Sequence, residues 1–484
     1  MVLANLFPSG RPTGGRSVDE SLRGNRARVK VLYVTHGFPP DQMAGAEVYS
    51  FAVAREVRNC GVEPTVVAPA ARPGLPEYGI VEEAYEGVRI LRLNQNYADL
   101  YDLESTYAGS RGAAAVAAIL DRERPDLVHI QHVIGTSCDV ILEAKKRGIP
   151  VVLTLHDFWF QCPRGQRMTP RRHLCRKIEP WRCALCVGKK RVRYLLNFLG
   201  GYATGKTADG RGRGAVARAL FFLPRLVRYL WREAWTPTIR RRTERMRAAL
   251  LAADLVIAPS EFMRAEFSAW GVPDERMVFS EYGMDHELFR AARARPPRLP
   301  GAPIRFGFVG TLIPNKGPDL LIEAFQGIPA GRASLEIFGA GGGPNGPRFE
   351  AALKAQNRHP GLSFRGRFDN QRIAAILGSL DVLVVPSLWY ENAPLTLHEA
   401  ALAGIATVTS DHGGMREFAE RFGNALLFKP GDAGALRAQL MRLIDEPALL
   451  ATLRPKRQVR TIEDDARSLV EHYGRLVREK AQQR

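Results

Sequence analysis

No stretch of the chain reaches the roughly 18–20 uncharged apolar residues that a membrane-spanning helix needs. The first residues, Met1 to about Asn25, are rich in Gly, Pro, Ser and Arg and lack the apolar run of a secretory leader. They read as a disordered tail, and the protein is expected in the cytosol. Cysteine is scarce, with six in 484 residues. In the cytosol these thiols are expected to stay reduced unless a metal holds them. Acidic residues are in deficit, 50 Asp and Glu against 69 Lys and Arg, which leaves a formal charge of +19. No nucleic-acid-binding module accompanies that charge, so nucleic acid is not an expected partner. No Asp-x-Asp-like metal site is evident either.

What is present is enough for ordinary globular cores. Hydrophobic residues make up 45%, and the length suits about two or three domains. Val29–Thr35 is a short apolar run rich in β-branched residues, as buried parallel strands are. A loop with Gly37, Pro39, Pro40 and Gly45 follows, then a predicted helix from Glu47 to Asn59 that ends at Gly61. Further strands are expected at Pro64–Ala68, Val88–Leu93, Leu127–Gln131 and Val151–Leu155, and a last one at Leu255–Ser260. Phe158 to about Arg247 shows no strand–helix rhythm and reads as an insertion. The rhythm restarts at Ile304–Gly310 and continues through Ala333–Gly339, Leu362–Arg365, Val382–Val385, Ala406–Ser410 and Ala425–Phe428. Asp465–Glu479 is helical in pattern. Alternating strands and helices predict α/β architecture with two doubly wound, parallel-sheet domains. The expected division is a tail over 1–26 and a first Rossmann-like domain over 27–290, with its insertion at 158–250. A linker over 291–303, a second Rossmann-like domain over 304–455 and a helical segment over 456–484 complete it. Ligands of such sheets bind off the carboxyl ends of the strands, so two facing edges would form one cleft.

The strongest local signal is the run from Pro386 to Ala400, which holds Glu391 in a loop after a strand and Glu399 just over one turn into a helix. The two carboxylates can reach one ligand from two sides. The free N–H groups of the helix start suit a diphosphate, and a carboxylate suits the vicinal hydroxyls of a ribose. An N-cap glutamate plus a solvated glutamate is the plainer alternative. The spacing of Glu391 and Glu399, a glutamate, seven residues and a glutamate, resembles the paired-glutamate motif of retaining GT-B glycosyltransferases, particularly glycosyltransferase family 4. Gly45-Ala46-Glu47, Leu155-His156-Asp157, Gly310 with Lys316-Gly317, Ile337–Gly339, Pro386-Ser387 and Gly413-Gly414 with Glu417 follow in the family's order.

That resemblance implies a GT-B fold, two Rossmann-like domains facing across a cleft, and a nucleotide-diphosphate sugar as donor. It assigns Gly45 to the first glycine-containing loop, where bare backbone allows close approach. It places His156 beside the transferring sugar and Lys316 against the donor diphosphate. Glu391 falls on the donor sugar or its phosphate side, Glu399 on the ribose, and Gly310, Gly413, Gly414 and Glu417 around the donor. His156 and Glu391 are thereby the catalytic candidates. Charge grows on the leaving diphosphate as the glycosidic bond breaks, so fixed positive charge there favours the transition state. The family's chemistry needs no enzyme nucleophile and no catalytic metal. One departure stands out: Thr311 occupies the place where many family members carry an arginine. Arg365 and Arg367 are either replacement cations or plain surface arginines.

Two features lie outside that scheme. Cys162, Cys175, Cys183 and Cys186 cluster in the insertion and could bind structural zinc or hold an iron–sulfur cluster; unliganded thiols are the alternative. From Val187 to Leu250, 16 Lys and Arg stand against 3 Asp and Glu, an excess of 13. If helical, Arg218, Arg225, Arg228 and Arg232 share one face, with Phe222, Leu223, Leu226, Val227 and Leu230 on others. Arg240-Arg241-Arg242 adds charge. This is the pattern of an interfacial helix on anionic lipid, or of a packed helix with its arginines in water. The expected partners are a nucleotide sugar, a glycan or lipid-linked acceptor, and the anionic inner face of the plasma membrane. A nucleotide-sugar epimerase and a non-catalytic basic binding protein are the competing functional readings.

Overall fold

The computed structural model describes residues 28–95, 103–187, 224–293, 299, 301–343 and 345–483. Two sheets organise them. The first has eight strands: β1 (Val29–Val34), β2 (Val62–Ala70), β3 (Ile80–Tyr85), β4 (Val88–Asn94), β5 (Leu127–Ile130), β6 (Val151–Thr154), β7 (Leu255–Ala258) and β8 (Met277–Phe279). Their spatial order is β3-β4-β2-β1-β5-β6-β7-β8, parallel except for the antiparallel β3–β4 pair at the edge. The second sheet holds β9 (Ile304–Val309), β10 (Ala333–Phe338), β11 (Leu362–Gly366), β12 (Val382–Val385), β13 (Ala406–Ser410) and β14 (Ala425–Phe428). Its order is β11-β10-β9-β12-β13-β14, parallel throughout.

Both sheets are covered on both faces, which is why their strands read as unbroken apolar runs. Alternate residues of β1 enter opposite cores: Leu32 and Val34 pack with α2 (Ser110–Glu123) and α3 (Asp139–Lys146). Val31 and Tyr33 pack with α1 (Gly45–Val57). In β12, Val382 and Val384 face one core and Leu383 and Val385 the other.

Three expectations are corrected. The last strand of the first sheet is β8, not β7; three residues are too few to show a period. The unpredicted β3 alternates exposed and half-buried positions at a sheet edge and carries Glu82 and Glu83, so it lacks the apolar run used to find strands. The irregular stretch ends earlier than Arg247, because α4 (Pro224–Ala252) is the crossover helix between β6 and β7. Arg218, Phe222, Leu223 and the 1–26 tail lie outside the described residues, as do the side chains of Arg225, Leu226, Val227, Arg228, Leu230 and Arg232. Arg242 is described and is fully buried, so it adds nothing to a surface stripe. No helix among the described residues is long and apolar enough to cross a membrane.

The carboxyl edges of the two sheets meet. Asn392 Nδ2 donates to Leu155 O at 2.7 Å, and Ser260 Oγ donates to Asn392 Oδ1 at 2.7 Å. The last helix, α12 (Ile462–Gln482), returns to the first sheet. Thr461 caps it by accepting from Asp464 N, and Ile462, Ala466, Leu469, Tyr473 and Leu476 form its buried stripe beside Val31 and Val53. Asp465, fully buried, accepts from Tyr49 Oη and Gly283 N, both at 2.9 Å, and fixes the helix there.

Candidate functional site

Adjacent strands β9 and β12 deliver the central residues. After β9 the chain runs through Gly310 to a 3-10 turn, Pro314–Lys316, before α6 (Pro318–Phe325). Gly317 closes that turn in the left-handed region at φ 68°. A Cβ there would lie 2.2 Å from Pro386 O, so only glycine lets this loop touch the loop after β12. Leu388 N donates to Asn315 O at 2.7 Å across the same seam. Lys316 Nζ folds back to 3.5 Å from the Cβ position of Gly310.

Glu391 lies in the loop between β12 and α9 (Leu395–Leu402). Its Oε1 accepts from Ser387 Oγ at 2.9 Å and from Trp389 Nε1 at 2.8 Å, so the carboxylate is oriented before any ligand arrives. Glu399 stands on α9. Burial pushes its carboxyl up to about 7, and the charge of Lys316 pulls in the other direction. That coupling puts the lysine and the helix glutamate within electrostatic reach of each other. Gly413 and Gly414 begin α10 (Gly413–Phe422), where Gly414 N donates to Glu391 O at 3.0 Å. A Cβ on Gly414 would fall 1.5 Å from Asn392 O, which fixes glycine at that contact.

The first sheet supplies the facing wall. Gly45 opens α1, and its Cβ position is 3.5 Å from Leu395 Cδ1 of α9. His156 follows β6, stacked on Tyr282 with ring centroids 5.6 Å apart. Its two nitrogens lie 2.6 Å from Tyr282 Oη and 2.6 Å from Gln131 Oε1. Since Gln131 Oε1 can only accept, Nε2 carries the proton and Nδ1 accepts from the tyrosine. Burial holds this imidazole at about 3, so it is neutral. Nearby, His36 Nε2 is 3.2 Å from Glu47 Oε1 and His132 Nε2 is 3.5 Å from Asp157 Oδ2. Burial works to raise both carboxyls, but the neighbouring histidines together with backbone N–H donors, Trp159 N on Asp157 among them, hold Glu47 and Asp157 below the ordinary carboxylate range.

Residues 290–460 match the family described as glycosyl transferases group 1, and residues 44–184 match the glycosyl transferase 4-like domain. The chain belongs to the group 1 glycosyltransferases. The amylovoran biosynthesis glycosyltransferase AmsK of Erwinia amylovora is 27% identical over 198 residues, 39% of this chain and 47% of that protein. The chain thus spans about half the length of the curated relatives it matches. Among solved structures, sucrose-phosphate synthase from Thermosynechococcus elongatus aligns with a TM-score of 0.57 at 17% identity, over 94% of this chain and 98% of that one. Anabaena HepE, solved with UDP and glucose, aligns at 0.54 and 17% identity, over 94% and 99%. This likeness establishes the fold, GT-B: two Rossmann-like domains facing across a cleft.

Within that frame Gly310, Lys316, Glu391, Glu399, Gly413 and Gly414 are brought together, with Gly45 and His156 on the opposite wall. Glu417 is not part of this group. Its Oε1 and Oε2 accept from Glu261 N at 2.9 Å and Phe262 N at 2.8 Å, capping α5 (Glu261–Ser268) of the first domain. The family resemblance placed it around the donor, but its face of α10 meets α5 instead. Thr311 packs its Cγ2 near Gly342, and Arg365 is engaged by Glu336, so Arg365 does not replace the missing cation. The tethers of Glu391 escaped the sequence reading, although Ser387 and Trp389 lie inside the same motif. Tyr282 and Gln131 escaped it too, being 126 and 25 residues from His156 in sequence. The four clustered cysteines line one cavity of about 410 Å³ away from these residues. As the side chains stand, no three His, Cys, Asp or Glu among the described residues are grouped to hold a metal ion.

Proposed function

We propose that the protein transfers a sugar, with retention of anomeric configuration, from a nucleotide-diphosphate donor to a glycan or lipid-linked acceptor. The observation that carries the reading is the placement of Lys316, Glu391 and Glu399 on the loops and helix that follow the adjacent strands β9 and β12, with the charge of Lys316 acting on Glu399 and Glu391 tethered by Ser387 and Trp389. Lys316 receives the diphosphate, where negative charge develops as the glycosidic bond breaks. Glu399 accepts from the ribose hydroxyls. Glu391 holds the sugar, and the neutral His156 ring, fixed between Tyr282 and Gln131, faces it from the opposite wall. The acceptor hydroxyl attacks from the face the diphosphate leaves, and a phosphate oxygen takes its proton. Family membership and the UDP and glucose bound by the HepE neighbour support this reading.

The kinship with an amylovoran biosynthesis glycosyltransferase supports an acceptor in cell-surface glycan synthesis. The excess of basic residues between 187 and 250 supports docking on anionic lipid at the cytoplasmic face. Sedimentation with phosphatidylglycerol vesicles that fades with salt, and its absence with phosphatidylcholine, tests that part. The transfer reading is tested by screening nucleotide sugars as donors with Lys316→Ala and Glu391→Ala as controls. Transfer that survives both substitutions would sink the site assignment. Interconversion of the free nucleotide sugar without an acceptor would assign an epimerase instead.

A further inference from the structure

The segment between β6 and α4 carries Cys162, Cys175, Cys183 and Cys186, and short-range structure turns all four toward one cavity of about 410 Å³. Cys162 N donates to Phe158 O, and Gly165 N to Cys162 O, in a tight turn. Met168 and Leu174 form an antiparallel bridge, which Cys175 N extends by donating to Arg167 O at 2.7 Å. Cys183 and Cys186, three apart on the helix over 180–187, are neighbours on one face. None of the cysteines is disulfide-bonded.

Arg242 of α4 supplies a second, independent observation. Its side chain is fully buried, with the guanidinium 4.9 Å from the Trp159 ring centroid. Nη2 donates to Trp159 O, but Nε and Nη1 have no hydrogen-bond partner among the described residues. The groups whose charge would act on it are the thiols of Cys162, Cys138 and Cys183 and the Tyr107 phenol. A buried guanidinium keeps its proton and calls for a buried anion. Neutral thiols do not provide one, whereas metal-bound thiolates do.

We propose that Cys162, Cys175, Cys183 and Cys186 bind one thiophilic divalent cation, of which zinc best suits four thiolates, and that Arg242 is its buried counter-charge. Each thiol releases its proton to solvent as its sulfur bonds the metal, and nothing is oxidised or reduced. One divalent ion with four thiolates carries a net charge of about −2. Arg242 offsets part of it, and Arg164, Arg176, Lys177 and Arg182 line the same cavity. Binding requires the sulfurs to swing inward by rotation about χ1, since they do not stand at ligating distances as described.

The centre would brace a loop that reaches across to the second domain. Arg172 Nη2 donates to Pro314 O at 2.8 Å and to Asp319 Oδ1 at 2.9 Å, Gln166 accepts from Asn315, and Arg167 lies over the Tyr390 ring. These contacts flank Lys316 and Glu391, so the bearing of the centre on catalysis rests on the functional reading above; metal binding itself does not.

The test is elemental analysis of the full chain, purified under reducing conditions without metal-chelating resin. The expected result is about one zinc per chain, released when an organomercurial titrates the thiols. Cys175→Ser and Cys183→Ser each lose that zinc at least tenfold, while Cys60→Ser, outside the cluster, keeps it. Hydrogen exchange over 158–187 speeds up when zinc is removed. Should the serine variants fail to fold, the wild-type stoichiometry and mercurial release still decide. A metal-free wild type whose thiols react freely in the native state overturns the proposal. Iron with acid-labile sulfide in place of zinc overturns its single-cation form. None of these readouts depends on sugar transfer.

Discussion

Replacing Glu399 with glutamine removes a carboxyl that burial holds at about 7 rather than 4.5. Because the folded state binds this proton more tightly than the unfolded chain, ionisation works against folding. Below 4.5 both states are protonated and the cost vanishes. It grows as pH rises toward 7 and is complete above it. The gap of about 2.5 pH units, at 1.36 kcal/mol each, corresponds to about 3 kcal/mol. Glutamine keeps the shape and the hydrogen-bonding capacity without the charge. Glu399→Gln is therefore expected to be more stable than the parent by up to about 3 kcal/mol at pH 8.5, and by about 1 kcal/mol at pH 5.5. Urea unfolding of both proteins at the two pH values measures this. The same variant should lose nucleotide-sugar binding, as a site residue held at a cost to stability does. A gain that is absent at pH 8.5, or equal at both pH values, would refute the reasoning.

Further outcomes follow from single contacts. Gly414→Ala forces a methyl group to 1.5 Å from Asn392 O and is expected to destabilise by about 3 kcal/mol, whereas Gly434→Ala, with only Asp432 Oδ1 at 3.4 Å nearby, should be neutral or stabilising; calorimetry separates them. Asp465→Ala strips Tyr49 and Gly283 of their acceptor and leaves Arg460 without its ion pair, an expected loss of about 3–5 kcal/mol, with faster hydrogen exchange in α12. The His156 ring, held at about 3, should show no titration between pH 5 and 8 by NMR; a midpoint near 6.5 would contradict its burial between Tyr282 and Gln131.

The sequence was most legible where local chemistry decides the outcome. Strands β1, β9 and β12 are apolar on both faces because helices cover both, and Glu391 and Glu399 fall at the loop and helix positions their spacing implies. Other features depend on what an element packs against, which spacing does not encode. The period of α12 announces a buried stripe but not that the stripe belongs to the first sheet. Glu417 was placed correctly along the chain but points at α5. Arg242 sits in an arginine-rich run that reads as solvated, yet Trp159 and Tyr107 enclose it.

The central claim is that Lys316 grips the diphosphate of a sugar nucleotide whose sugar and ribose are held by Glu391 and Glu399. The most direct measurement is calorimetric titration of nucleotide sugars into the parent protein and Lys316→Ala. At least one donor should bind the parent, and its affinity should fall by about 10–100-fold in the variant, the loss of one charge-assisted contact. Equal affinity for the two proteins, or no binding of any nucleotide sugar to the parent, would contradict the account.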